Sequence, residues 1–177
     1  MNKSVDQNFI NKLVNYLQTK QHQKLRLEIK LLGKIEDQHP IIIFYYAVSL
    51  SSYERVTKED LLYASDLFEK VYLTDKSNLL PLQNMVVLSF TIKKFAKVKK
   101  YVEEEFKNNN NNVQLIESLA MINHFLGNHE VSIKHFKELY RKLPDAINGR
   151  ITYINSLQYA SNVDQKEYIK ECTKYTN

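Results

Sequence analysis

The chain has 177 residues with only three Gly and three Pro, too few turn formers for a β-sandwich or barrel, which needs one about every ten residues. Gly33, Gly127 and Gly149 are too far apart for a GxGxxG or GxxxxGKS phosphate loop. The net charge is +5, with 44% hydrophobic and 25% charged residues, a folded, water-soluble and mildly basic balance that does not by itself argue for nucleic acid or a membrane surface. A mostly helical chain with short connections remains.

In chain order, Phe9, Leu13, Tyr16 and Leu17 are spaced as one face of a helix. A polar break at Lys20-Gln21-His22 follows, then a second helical face at Leu25, Ile29 and Leu32. The next break, Asp37-Gln38-His39-Pro40, opens an apolar helix. Thr57 with Asp60 has capping-box spacing ahead of Leu61, Ala64, Phe68 and Val71. Further polar breaks fall at Thr74–Asn78, at the Asn108–Asn112 run and at Gly127-Asn128. A second capping-box spacing, Asp164 with Glu167, opens the last helix. The expected elements are amphipathic helices of roughly 12–15 residues. No 18-residue apolar stretch suggests a membrane span. The start carries no apolar signal core, and the single cysteine, Cys172, has no internal partner. Both point to a reducing, cytoplasmic setting.

The helices repeat. With Asp6 as position 1, the units run 6–39, 40–78, 79–112, 113–146 and 147–177, a period of 34 with five extra residues between Ser51 and Lys58. Position 4 is Phe9, Ile43, Leu82 and Ile116, and position 24 is Ile29, Phe68, Val102 and Phe136. Position 8 is Leu13, Ala47, Val86 and Ala120, and position 20 is Leu25, Ala64, Val98 and Ser132. Small residues at positions 8 and 20 let two helix backbones approach; large ones at 4 and 24 fill the space around them. The last unit departs from this, with Arg150 at position 4 and Lys166 at position 20, so its second helix is expected to fit poorly.

A 34-residue period with two helices per unit resembles the tetratricopeptide repeat (TPR) family, most closely over Val113–Ala146, where Gly127 takes the turn and Pro144 follows the second helix. The resemblance implies an all-α, TPR-like α-solenoid of about five helix-turn-helix repeats forming one domain over 1–177. It also implies a concave groove that binds a peptide or partner protein. In that family positions 2, 5, 6, 9 and 12 of each first helix face inward. The positions of interest here are Phe44, Tyr45 and Val48, then Gln83, Asn84, Val87 and Phe90. Glu117, Met121 and His124 follow in the fourth unit, and Asn155 in the fifth. This lining lacks the Lys/Asn/Arg set with which some family members clamp a C-terminal carboxylate. Its apolar character suggests a hydrophobic peptide, a partner helix or a second copy of the chain.

The segment Ala146–Tyr175, with Arg150-Ile151, Ile154, Leu157, Tyr159, Asp164, Tyr168, Glu171 and Tyr175, resembles the last repeat and joining helix of O-linked N-acetylglucosamine transferase (SPINDLY-like) proteins. That implies, as an alternative, an acceptor-recruiting region of a larger glycosyltransferase whose nucleotide-sugar domain would lie outside this chain. Of the Asn residues that some such proteins carry at position 6 of successive units, Asn84 alone matches.

The remaining chemistry is sparse, and no cofactor or metal is expected. His124, His129 and His135 have spacings of five and six, which place them on different faces. Cys172 has no CxxC partner and reads as a packed thiol. The Glu103–Glu105 run reads as a solvated face. Lys93, Lys97 and Lys100 could line one helical face, a second alternative reading as a weak nucleic-acid or anionic-lipid binder, although few arginines and the following Glu run leave a nucleic-acid partner unexpected. The tyrosines are expected to pack between helices with their hydroxyls in water. Tyr168, Ile169, Cys172 and Tyr175 form an apolar stripe on the last helix, expected to meet another chain or a downstream domain. Nothing in these motifs makes a catalytic constellation, so the chain is read as non-catalytic.

Overall fold

The computed structural model describes residues 5–52, 56–145, 149–162 and 164–176; of Tyr175 and Thr176 it describes the backbone alone. Ten α-helices occur among the described residues, and no strand. They are α1 (Gln7–Gln18), α2 (His22–Lys30), α3 (Pro40–Ser51), α4 (Lys58–Thr74), α5 (Leu80–Ile92), α6 (Ala96–Asn108), α7 (Val113–Phe125), α8 (His129–Lys142), α9 (Arg150–Tyr159) and α10 (Gln165–Thr176). A single 3-10 turn, Ile35–Asp37, precedes α3 and buries Ile35. The chain divides into two compact bodies, Met1–Lys94 and Phe95–Asn177.

The helix ends follow from local chemistry. Asp6 caps α1, its Oδ1 accepting from the Asn8 N–H at 2.9 Å. Pro40 opens α3, where a missing N–H costs nothing. Thr57 and Asp60 make the full reciprocal box at α4: the Asp60 N–H donates to Thr57 Oγ1 at 3.0 Å, and the Thr57 N–H donates to Asp60 Oδ2 at 3.2 Å. The asparagine run ends α6 and starts α7, with Asn112 Oδ1 accepting from the N–H groups of Gln114 and Leu115. Asp164 caps α10 by accepting from the Lys166 and Glu167 N–H groups. The reciprocal half of that box is absent among the described bonds, because the Glu167 carboxylate accepts from the Tyr153 hydroxyl at 2.6 Å and pairs with Lys137 Nζ at 2.7 Å.

In the first body α1 packs on α2 and α3, α2 on α3, α3 on α4, and α4 on α5. In the second, α6 packs on α7, α7 on α8 and α9, α8 on α9, and α9 on α10. The core uses the repeat register. Ile29, Phe68, Val102 and Phe136 at position 24 are completely buried, as are Leu13, Ala47 and Ala120 at position 8 and Leu25, Ala64 and Ser132 at position 20. Small residues do let the backbones close up: Ser132 Oγ on α8 donates to the Ala120 carbonyl on α7 at 2.8 Å. Such contact needs two short side chains at the crossing.

Position 4 of the last unit departs from the expected poor fit. Arg150 is buried, pairs with the buried Glu171 of α10, donates to the Pro144 carbonyl at 3.1 Å and lies over the Tyr140 ring at 4.4 Å. Lys166 is exposed. The last helix is therefore fastened to α9 by charge, and α9 to α8 by cation–π contact, where the other units use an apolar side chain.

Candidate functional site

The first body holds a cleft of about 470 Å³ where α3, the end of α4 and the start of α5 meet. Its apolar wall is Ile41, Phe44, Tyr45, Val71 and Leu80; its rim is His39, Thr74, Asp75 and Asn78. Phe44 is braced edge-on against Phe68 at 5.5 Å and Tyr45 at 5.9 Å, so the aromatic wall is held in place. Much of the rim is already committed to shaping the chain. Asp75 Oδ1 accepts from Ser77 N–H and Oγ, at 3.0 and 2.6 Å, and these bonds hold its carboxyl below the usual range. Asn78 Oδ1 accepts from the Leu80 N–H at 3.1 Å, and His39 Nδ1 from the Ile41 N–H at 3.3 Å. The Tyr45 hydroxyl and the Asn78 Nδ2 make no hydrogen bond among the described residues. An apolar wall with a few convergent polar groups, in the 300–1,000 Å³ class, is the ordinary form of a ligand or peptide-anchor pocket.

Of the expected groove residues, Phe44 and Tyr45 line this cleft. Val48 lies one turn further along α3, half-buried. On α5, Val87 is 65% exposed, Gln83 and Phe90 are half-buried, and Asn84 donates its Nδ2 to its own helix at the Leu80 carbonyl, 2.9 Å away. Glu117, Met121, His124 and Asn155 belong to the second body and are all half-buried, with Met121 packed on the core cluster of Ile116, Ala120, Phe136, Leu139, Tyr153 and Leu157. At the α4 end of the cleft, the sequence marked Val71 only as part of an apolar helical face and Thr74 and Asp75 only as a polar break.

The histidines differ from the expectation. His124 and His129 have ring centroids 5.3 Å apart, because Gly127 adopts φ +78 and the Asn128 N–H closes back onto the Asn123 carbonyl at 2.8 Å, returning the chain beside α7. His124 Nδ1 lies 2.8 Å from Ser156 Oγ, and Tyr159 packs against His129 at 5.5 Å. Burial, with His129 as a secondary cause, lowers the His124 pKa. His135 stands apart, edge-on to Phe106 at 5.6 Å. Among the described residues, no group of three or more His, Cys, Asp or Glu side chains could hold a metal ion.

Three further expectations are corrected by the geometry. Lys93 does not share a helix with Lys97 and Lys100: the chain leaves α5 through Lys93 at φ +58, and α6 begins at Ala96. Within α6, Lys99 and Lys100 approach Glu103 and Glu104 at 3.6 and 4.0 Å, so the basic run is partly balanced by the glutamates that follow it. Tyrosine hydroxyls bond to carboxylates in place of water: Tyr16 to Glu28 at 3.5 Å, and two more closely, Tyr63 to Glu36 and Tyr153 to Glu167, each at 2.6 Å. Burial first and the carboxylate second raise the Tyr63 and Tyr153 pKa values. The α10 stripe is divided. Tyr168 packs on the core cluster, Cys172 is half-buried, Ile169 is 62% exposed, and the Tyr175 side chain lies outside the described residues.

No protein-family model matches this sequence, and no curated protein matches it. Among the described residues no helix is long and apolar enough to cross a membrane.

Proposed function

We propose that the chain is a non-catalytic, TPR-like helical-repeat scaffold that holds an extended, apolar segment of a partner protein. The observation that carries this reading is the cleft built by α3, α4 and α5, which presents Phe44, Tyr45 and Leu80 around about 470 Å³. The register at positions 4, 8, 20 and 24, buried through the first four units except for the half-buried Phe9, and the contacts of α1 with α3 and of α7 with α9, support the repeat reading, since stacked repeats bring successive first helices together. The occupant expected is an aliphatic or aromatic anchor side chain, with the Tyr45 hydroxyl and Asn78 amide meeting its backbone.

Selection of a phage-displayed random peptide library on the full chain tests the proposal. Peptides with an apolar anchor should be enriched, and a synthetic copy of one should lose at least about tenfold in affinity on Tyr45→Ala and on Leu80→Asp. Leu80 is half exposed, so its variant should keep the helical circular dichroism of the parent. No enrichment, or enriched peptides that bind both variants as well as the parent, refutes the proposal.

A further inference from the structure

The outward face of α2 is not used by the cleft. Leu27 is 64% exposed and Leu31 84%, with Leu32 at 46% in the turn that follows. Lys24, Leu27, Lys30 and Leu31 fall within about a third of the helix circumference at 3.6 residues per turn. They lie opposite Leu25 and Ile29, which are completely buried. Lys20 in the preceding turn and Lys34 after the helix extend the same basic segment, and all four lysines are exposed. None of the four forms an ion pair or hydrogen bond through its side chain among the described residues. Glu28, the one acidic residue of α2, is already paired with Lys12 at 2.7 Å. Of the nearby acids, Asp60, which lines a shallow cleft of about 330 Å³ with Leu27 and Lys30, is held by the Thr57 N–H and hydroxyl, and Glu36 accepts from the Tyr63 hydroxyl and from the Lys70 ammonium through its carbonyl, leaving Asp37 as the exposed acid of the next turn.

We infer that this face docks on an anionic phospholipid bilayer. The occupant follows from the shape and charge of the patch. Leu31 protrudes, and Leu27 is largely exposed beside the shallow cleft that it lines with Lys30, so both suit a soft medium that closes around them. Unpaired lysines around exposed leucines put cations at headgroup level while their aliphatic stems and the leucines enter the acyl boundary. The charge is complementary to a surface rich in anionic headgroups. The contact is peripheral and salt-sensitive, distinct from the peptide cleft and independent of it.

The test uses the full chain with vesicles of phosphatidylcholine alone and vesicles containing about a third phosphatidylserine. Co-sedimentation should occur with the anionic vesicles at low salt, fall steeply as salt rises, and be absent with phosphatidylcholine alone. The Leu27→Ser/Leu31→Ser variant should bind at least about tenfold more weakly, and each of Lys24→Gln and Lys30→Gln about fivefold. The side chains are exposed, so all variants should retain the parent's circular dichroism. The chain has no Trp, so Leu31→Trp supplies a single reporter whose emission should shift to the blue and be quenched by brominated acyl chains. Four results would each overturn the inference: equal binding to both vesicle types, unchanged binding by the leucine variant, loss on Lys97→Gln/Lys100→Gln but not on the α2 variants, or a leucine-dependent dimer in light scattering.

Discussion

Replacing Glu171 with Ala removes one partner of the most enclosed ion pair described. The side chains of Arg150 and Glu171 are 8% and 9% exposed, so water cannot take the place of the lost carboxylate. Breaking a buried pair from one side costs about 3–5 kcal/mol. Here the guanidinium keeps the Pro144 carbonyl at 3.1 Å and the Tyr140 ring at 4.4 Å, which places the loss near the lower end, about 3 kcal/mol. With a urea dependence of roughly 1.5 kcal/mol/M, the midpoint should fall by about 2 M. The assay is urea unfolding followed by tyrosine fluorescence and circular dichroism, with hydrogen exchange to locate the change. Protection should drop first in α9 and α10. The partner experiment is Arg150→Met/Glu171→Leu, which replaces both charges with apolar groups of similar size. It should recover most of the loss, because the desolvation of two ions disappears together with their attraction. A single variant within about 0.5 kcal/mol of the parent, or a double variant as unstable as the single, would refute the argument that a buried charge without its counter-ion is what destabilises.

Acid should weaken the fold before the carboxylates titrate. Burial is the main cause lowering His22, His124 and His135 below the ordinary 6.5, with Glu103 and Glu138 opposing and Lys99 assisting at His135. The unfolded chain then takes up protons that the folded chain resists, so this stability is present above 6.5 and is lost as pH falls through the lower native values. Melting temperature should drop between about pH 7.5 and about pH 5.5, less so in His135→Gln, and a flat profile contradicts the argument. Thr57→Ala should cost about 1 kcal/mol in thermal unfolding by opening the α4 box; no change would mean that the cap is dispensable. The two glycines with similar φ, +78 at Gly127 and +76 at Gly149, should differ. A Cβ at Gly127 meets nothing within 4 Å, whereas one at Gly149 meets Phe136 Cε1 at 3.0 Å. Gly127→Ala should therefore cost about 1 kcal/mol and Gly149→Ala more, and equal losses would show that Phe136 yields freely.

Much of the helical plan was legible because it depends on neighbours in sequence. Helix spacing put Leu13, Leu25, Phe68 and Phe136 inside, and the polar breaks at Asn108–Asn112 and Gly127-Asn128 became turns. The cleft was half legible. Phe44 and Tyr45 follow from their register on α3, whereas Val71, Thr74 and Asp75 join them only through the packing of α4 on α3 and α5. The Lys93–Lys100 run was misleading because a single residue at positive φ ends one helix before the next begins, a break that counting at helical intervals cannot detect.

What the sequence determined alone is the set of helices, their caps and which stripe of each is apolar. Those are properties of a 3.6-residue period and of side chains within one turn of the backbone they satisfy. Only the tertiary structure decided which polar groups meet. Tyr63 reaches Glu36 across 27 residues, Arg150 reaches Glu171 across 21, and His124 reaches Ser156 across 32. Each pair joins separate elements brought together by burial of apolar stripes. Partner choice among long, flexible side chains is settled only after those stripes have packed, when the remaining buried donors and acceptors must be satisfied where they stand.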